Sequence, residues 1–133
     1  MKRLLVSAGL LLGAAAATAH ATNYASFLRS LRAEKTSITQ AGEVDQPFFS
    51  VKGKAIGLYG DHVQVFEYPA SAKAEEDAAL VSADGMTIGT AKPHWLGPAH
   101  FFRRGRLIVL YVGNDEKVLK ALQARLGPQF AGR

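Results

Sequence analysis

The feature that most constrains the fold is a run of six apolar residues, Leu107–Val112, near the end of this 133-residue chain. A strand that faces water on one side alternates apolar and polar residues, whereas this run is apolar on both sides. It therefore predicts a strand in the middle of a sheet, covered on both faces. Residues Ala99–Phe102 precede it across an Arg104-Gly105 turn, so the two segments are predicted to form a hairpin.

A second hairpin is predicted between Val51 and Tyr68, with Gly60-Asp61 as its two-residue turn. The register that follows pairs Tyr59 with His62, Leu58 with Val63, Ile56 with Val65, and Lys54 with Glu67 as an ion pair. The aliphatic side chains then share one face. Tyr59 and Phe66 lie with Tyr68 over small residues on the other, which is the pattern of a covered face.

Three helices are predicted from apolar spacing and from residues that start or end helices. The first spans about 23–33, the second runs from Ser71 to about Ala83, and the third follows a cap at Asn114. Shorter strands are expected near Ile38, as an edge element or loop, and at Met86–Thr90. The order of elements is typical of an α+β domain, with an antiparallel sheet of about five to six strands built from two hairpins and helices packed on one face.

The first 21 residues have the three parts of a secretory signal peptide. Met1–Arg3 is basic, Leu4–Ala17 is apolar, and Ala19–Ala21 is a small-x-small cleavage pattern. We expect cleavage to leave residues 22–133 as a single domain, exported to the periplasm or beyond. The apolar stretch is short for a membrane span and no second candidate follows it, so no transmembrane segment is expected in the mature chain.

Charge argues against a nucleic-acid partner. The chain has a formal net charge of +5, and removal of Lys2 and Arg3 with the leader leaves 14 basic against 11 acidic side chains, or +3. A nucleic-acid binder usually shows a clustered basic face instead. The chain has no cysteine, so neither disulfides nor a lipid-modified cysteine are expected.

No constellation of residues predicts catalysis or a cofactor. The serines lack a Gly-x-Ser-x-Gly elbow or a partnered base, and the glycines lack a strand-to-helix phosphate loop. His62, His94 and His100 do not have the spacing of metal ligands, so neither a metal nor another cofactor is expected. His62 is interpreted as a solvated turn residue and His100 as a hydrogen-bonded structural histidine. His94, next to Trp95, is the one most open to ligand contact.

Two sets of residues are candidates for binding. Arg103, Arg104 and Arg106 form the only dense cationic cluster in the sequence, which is either a solvated hairpin tip or a site for an anionic partner. A two-residue Arg104-Gly105 loop would place Arg103 opposite Arg106, an unfavourable pair unless the loop is longer or an acid lies nearby. The second set is aromatic and consists of Tyr59, Phe66, Tyr68 and Trp95, with His94 beside them.

Five blocks of the sequence together resemble a family of small exported bacterial proteins, many of them lipoproteins, of unassigned function. These blocks are Gln46–Val51, Val63–Tyr68, Ile88–Thr90, Arg106–Gly113 and Leu126–Gly132. The resemblance implies export and carries no catalytic residue across. The chain departs from the lipoprotein pattern because no cysteine follows its leader.

The sequence therefore predicts a non-enzymatic envelope protein that binds another protein or an anionic envelope component. The alternative is a small-ligand carrier with a pocket lined by Tyr59, Phe66, Tyr68 and Trp95. An enzyme is the third interpretation, because function must be argued from a site and no catalytic site is visible.

Overall fold

The structure is a computed structural model that describes residues 22–133. The predicted leader, residues 1–21, lies outside the described residues. The helices are α1 (Tyr24–Ala33), α2 (Ser71–Ala78) and α3 (Glu116–Leu126), and the strands are β1 (Ile38–Val44), β2 (Gly53–Leu58), β3 (Asp61–Glu67), β4 (Ala99–Arg104), β5 (Leu107–Val112) and β6 (Ala131–Gly132). The strands form one antiparallel sheet in the order β1-β2-β3-β5-β4-β6. The predicted α+β fold with an antiparallel sheet is confirmed.

Strand β5 lies between β3 and β4, and its residues from Leu107 to Tyr111 are fully buried. The predicted central strand is confirmed. Because β5 is apolar on both faces, each face of the sheet needs a cover. Helices α1 and α3 cover one face, which we call the helical face, through side chains such as Leu31 and Leu122.

The opposite face is covered by α2 and by two irregular segments, residues 45–51 and 79–98, and we call it the aromatic face. Ala74 of α2 packs there with Phe66 and Phe101 of the sheet. The prediction of helices on one face therefore describes α1 and α3, while α2 lies on the other. Among the described helices, none combines the length and the apolar character that a membrane span requires.

The first hairpin turns at Tyr59-Gly60, where φ is positive at both residues, 52° and 87°. This is the requirement of a type I′ turn. The predicted Gly60-Asp61 turn is wrong by one residue, because tyrosine rarely adopts a positive φ and Gly-Asp looked the better turn. The register consequently moves by two residues.

A shift of two residues keeps the side chains of β2 and β3 on their predicted faces, whereas Tyr59 moves into the turn and leaves the face predicted for it. Ile56, Leu58, Val63 and Val65 therefore still share the helical face. The individual pairs change, since Ile56 faces Val63 and Lys54 faces Val65. The predicted Lys54–Glu67 ion pair is wrong.

The second hairpin turns at Gly105-Arg106, one residue later than predicted, with φ of 57° at Gly105. Glycine at the first central position is typical of a type II′ turn. Arg103 consequently faces Ile108 and not Arg106, so the like-charge pair does not form. Arg103 also lies 3.6 Å from Glu75. An acid near this turn was one of the two conditions given for placing Arg103 close to Arg106.

The helix ends follow the sequence signals in part. The Asn23 side chain accepts a bond from the Ser26 amide at 2.9 Å and caps α1, which begins within one residue of the predicted start. Helix α2 has no side-chain cap and ends at Ala78, earlier than predicted, and α3 is capped by Asp115 instead of Asn114. Residues 86–90 contribute only isolated bridges at Ile88 in place of a strand.

Strand β1 is the edge element expected near Ile38. It pairs with β2 on one side, and an extra residue between Gln40 and Glu43 makes a bulge. Gly42 lies in that bulge with φ of 102°, a conformation that glycine adopts without steric cost. A bulge twists an edge strand away from regular pairing, which limits further strand addition.

Candidate functional site

An open groove lies on the aromatic face between residues 46–48 and 91–96. Its volume is about 600 Å³. Gln64 of β3 and Val112 of β5 line it from the sheet, and the two loops supply apolar walls. The wall residues include Pro47, Phe48, Pro93, His94, Trp95 and Leu96. We call this the Trp95 groove.

Trp95 is held rigidly in the groove wall. Its indole Nε1–H donates to the carbonyl oxygen of Gly85 at 2.8 Å. Its ring makes edge contacts with Phe48 and Phe101, at centroid separations of 5.8 and 6.0 Å. Aromatic pairs in this geometry stabilise beyond their buried area, so these contacts fix the indole in the groove wall.

The Trp95 contacts belong to a longer series of touching aromatic rings. Neighbouring centroids are 4.9 to 6.1 Å apart along Phe130, Phe101, Trp95, Phe48, Phe49 and Phe66. The series connects the groove wall to the sheet. Phe48 lines the groove and is not among the predicted site residues, although two phenylalanines directly after Pro47 were a usable signal.

A pair of amides supplies the polar part of the groove. Gln46 Nε2 donates to Gln64 Oε1 at 2.9 Å. This bond leaves the oxygen of Gln46 and an N–H of Gln64 available, since an amide both donates and accepts. The groove can therefore hydrogen-bond to a peptide backbone as well as bury apolar groups.

Leu96 extends the apolar surface at the rim of the groove. It is 95% exposed, and the other exposed large apolar side chains on this side, Leu80, Met86 and Phe130, are 48%, 42% and 38% exposed. A single exposed leucine is ordinary, but Leu96 lines the same groove as Trp95. It therefore enlarges the apolar surface of the Trp95 groove.

Asp77 ties one groove loop to the sheet. Its Oδ2 accepts bonds from the Ser50 amide at 2.8 Å, the Ser50 hydroxyl at 2.9 Å and the Tyr68 hydroxyl at 2.7 Å. Burial, followed by the bond to Asp77, raises the pKa of Tyr68 well above its usual range. Tyr68 thus acts as a structural anchor beneath the groove.

The other predicted aromatic residues are not brought together with Trp95 at the surface. Phe66 is fully buried and packs over Gly53, where a Cβ would lie 2.6 Å from the Phe66 ring. Tyr59 is 41% exposed at its turn and borders a depression beside α3, on the helical face. Of the predicted candidates, only His94 and Trp95 line the groove.

The three arginines of the second hairpin point to different parts of the molecule. Arg103 pairs with Glu75 of α2, whereas Arg106 donates from Nε to the Tyr68 carbonyl at 2.8 Å. Arg106 also lies 3.9 Å from Glu67. Arg104 is exposed and borders a depression between α1 and α3. The turn does not gather them into one cationic site.

His100 is buried, as a structural histidine would be, with 4% of its surface exposed. Its ring nitrogens lie 2.8 Å from Gln129 Oε1 and 3.0 Å from the Gly113 carbonyl oxygen. The ring stacks on Tyr111, whose hydroxyl donates to Asp61. Burial, with a further contribution from Asp61, raises the pKa of Tyr111 to about 12.

The groove residues are the basis for any functional assignment. Within residues 22–133, no three histidine or acidic side chains are grouped so that they could hold a metal ion. Comparison with known protein families, curated proteins and solved structures gives no match for this chain.

Proposed function

We propose that the protein is an exported, non-enzymatic binding protein that holds an extended apolar segment of a partner protein in the Trp95 groove. The observation that carries this proposal is the immobilised indole of Trp95 next to the fully exposed Leu96. Rigid aromatic anchors in apolar surroundings dominate binding energy at protein interfaces. The Gln46–Gln64 amide pair adds hydrogen bonds for the backbone of the bound segment.

The shape of the groove favours this function over that of a small-ligand carrier. Its volume of about 600 Å³ lies within the range of small-molecule pockets, so a carrier is the second candidate. Carriers usually bury most of the ligand surface, whereas this groove is open. An open groove leaves part of its occupant in contact with solvent, which suits a segment of a larger protein.

Export is part of the proposal. The basic, apolar and small-residue parts of Met1–Ala21 support it, as does the resemblance to small exported bacterial proteins. The partner is then an envelope protein, in the periplasm or outside the cell. An anionic envelope component held at the hairpin turn has less support, since Arg103 and Arg106 are each engaged within the molecule.

The test of the groove is to measure which proteins are captured from envelope extract by residues 22–133. Three forms of this bait are compared. The forms are the wild type, Leu96→Asp in the groove rim and Leu80→Asp as a control at another exposed leucine outside the groove lining. Proteins bound by the wild type should be lost from Leu96→Asp, retained by Leu80→Asp and retained in high salt, because apolar contacts are weakly screened.

Equal capture by the wild type and Leu96→Asp would count against the groove. Native mass spectrometry of the purified protein tests the second candidate. A bound small molecule that Leu96→Asp leaves in place, without any groove-dependent protein partner, would favour the carrier.

A further inference from the structure

The helical face has a groove of its own between α1 and α3. It consists of two depressions of about 330 and 360 Å³ that share Ala124 and Arg125 of α3. Lys117 and Lys120 line the first depression, and Arg104 lines the second. Four cationic side chains thus line two adjoining depressions, on the opposite side of the sheet from the Trp95 groove.

The positive charge of this groove is largely uncompensated. Glu34 is the acidic residue in its lining, and it pairs with Arg125 at 3.3 Å. In the part of the chain that the structure describes, Lys117, Lys120 and Arg104 make no ion pair. Three positive charges therefore remain available to a partner.

The net charge of the domain is also distributed unevenly, with its positive excess on the side of this groove. Residues 22–35 and 114–126 together with Arg104 contain seven basic and three acidic side chains, while the rest of 22–133 contains seven basic and eight acidic ones. The helical face thus carries the whole positive balance of the domain. Such an asymmetry steers an oppositely charged partner toward one side of a protein.

We propose that this groove is a second binding surface, which takes an acidic, extended segment of a protein. Lys117 and Lys120 lie one helical turn apart on the same side of α3, and Arg125 follows them along the same helix. From Lys117 to Arg125 is eight residues, or roughly 12 Å of helix. About four residues of extended chain, at roughly 3.3 Å each, cover that distance.

The surroundings of the groove favour an acidic protein segment over an anionic bilayer. Surfaces that bind bilayers combine basic residues with large apolar side chains that enter the lipid. Of the large apolar residues exposed in the described chain, Tyr59 alone borders this groove, and the others lie elsewhere. A flat bilayer also reaches charges inside a concavity less well than a narrow polypeptide does.

Fluorescence anisotropy of a labelled peptide with alternating glutamate and alanine, titrated with residues 22–133, tests the proposal. Binding should saturate in low salt, weaken at physiological ionic strength and be absent for the same peptide with glutamine in place of glutamate. Lys117→Gln with Lys120→Gln should weaken binding about fivefold, given the usual strength of exposed ion pairs. Both lysines are exposed, so the fold should not change.

The matched control is Lys52→Gln with Lys73→Gln, which removes the same charge from exposed lysines outside the groove. It should leave the affinity within about twofold of the wild type, since it removes no charge from the groove lining. Equal weakening by both pairs would show a non-specific charge effect and overturn the proposal. Failure of the acidic peptide to bind, with binding of phosphatidylglycerol vesicles that depends on Lys117 and Lys120, would overturn it in favour of a bilayer.

The two proposals fail separately. Leu96→Asp lies on the aromatic face, so it should abolish capture by the Trp95 groove and leave binding of the acidic peptide unchanged. The double substitution of Lys117 and Lys120 should have the reverse effect. If both variants weakened binding of the acidic peptide equally, the groove on the helical face would not be a site separate from the Trp95 groove.

Discussion

The indole N–H of Trp95 donates to the carbonyl oxygen of Gly85 at 2.8 Å. This bond closes the segment from Gly85 to Trp95 into a unit that packs on the sheet through Phe101. Because the indole is already ordered, little of its own conformational freedom would be lost if a partner bound to it. Under the proposed function, the main aromatic anchor of the groove needs no prior rearrangement.

Substitution of Gly85 tests how closely this unit is packed. Gly85 has φ of +73°, and a Cβ there would lie 2.9 Å from the Phe101 ring. Gly85→Ala should destabilise the fold by about 1 to 3 kcal/mol and shift the fluorescence of Trp95. Gly89→Ala is the control, because Gly89 has φ of +60° and open space around it. An equal effect of the two substitutions would show that backbone conformation alone matters at Gly85.

Leu122 tests the packing of the helical face. It is fully buried at the centre of α3, so Leu122→Ala should leave a cavity and lower the free energy of unfolding by about 2 to 5 kcal/mol. Gln123→Ala, one residue along on the exposed side, should change it by less than about 0.5 kcal/mol. Denaturant melts measure both values. A small effect at Leu122 would contradict the observed burial.

Tyr111 makes stability fall at alkaline pH. Its pKa is raised from its ordinary value near 10 to about 12, so the folded state holds the phenolic proton more tightly than the unfolded state does. The contribution is fully present below about pH 10 and is lost as pH rises to about 12. Tyr111→Phe should flatten the decline measured by denaturant melts in this window. An unchanged pH profile would show that the phenol does not contribute to it.

The arginines of the second hairpin should behave differently from one another. Arg106→Gln loses the bond from Nε to the Tyr68 carbonyl and should cost about 1 kcal/mol of stability. Arg104→Gln should leave stability unchanged and weaken binding of the acidic peptide, since Arg104 lines the groove between α1 and α3. Melts and peptide titrations of both variants measure these effects. A loss of peptide binding in both would mean that the turn acts as one cationic cluster.

Processing of the leader is the fifth prediction. Cleavage after Ala21 should release a protein that begins at Thr22, because residues 19–21 have the small-x-small pattern and no cysteine follows for lipid attachment. N-terminal sequencing of the fractionated protein reads this directly. A membrane-bound protein that retains residues 1–21 would be incompatible with it.

The pattern of apolar residues within one segment was sufficient to predict the elements that depend on that segment alone. Apolar spacing predicted α3, whose buried residues are Val118, Leu122 and Leu126, and it predicted α1 to within one residue of its observed bounds. Both turns were predicted one residue from their observed positions. Turn type depends on φ at single residues such as Tyr59, and the two-residue period of the strands carries no information about φ. The period itself kept the correct side chains on the helical face.

The sequence by itself determined the central strand, the helices and the composition of each sheet face, because these follow from periodicity along short segments. Only the tertiary structure decided that Phe48 meets Trp95, and that Arg104 lies near Arg125 of α3 while Arg103 turns to Glu75. Those contacts join residues far apart in the chain. They depend on strand order and on which helix covers which face, and adjacency along a sequence does not encode either.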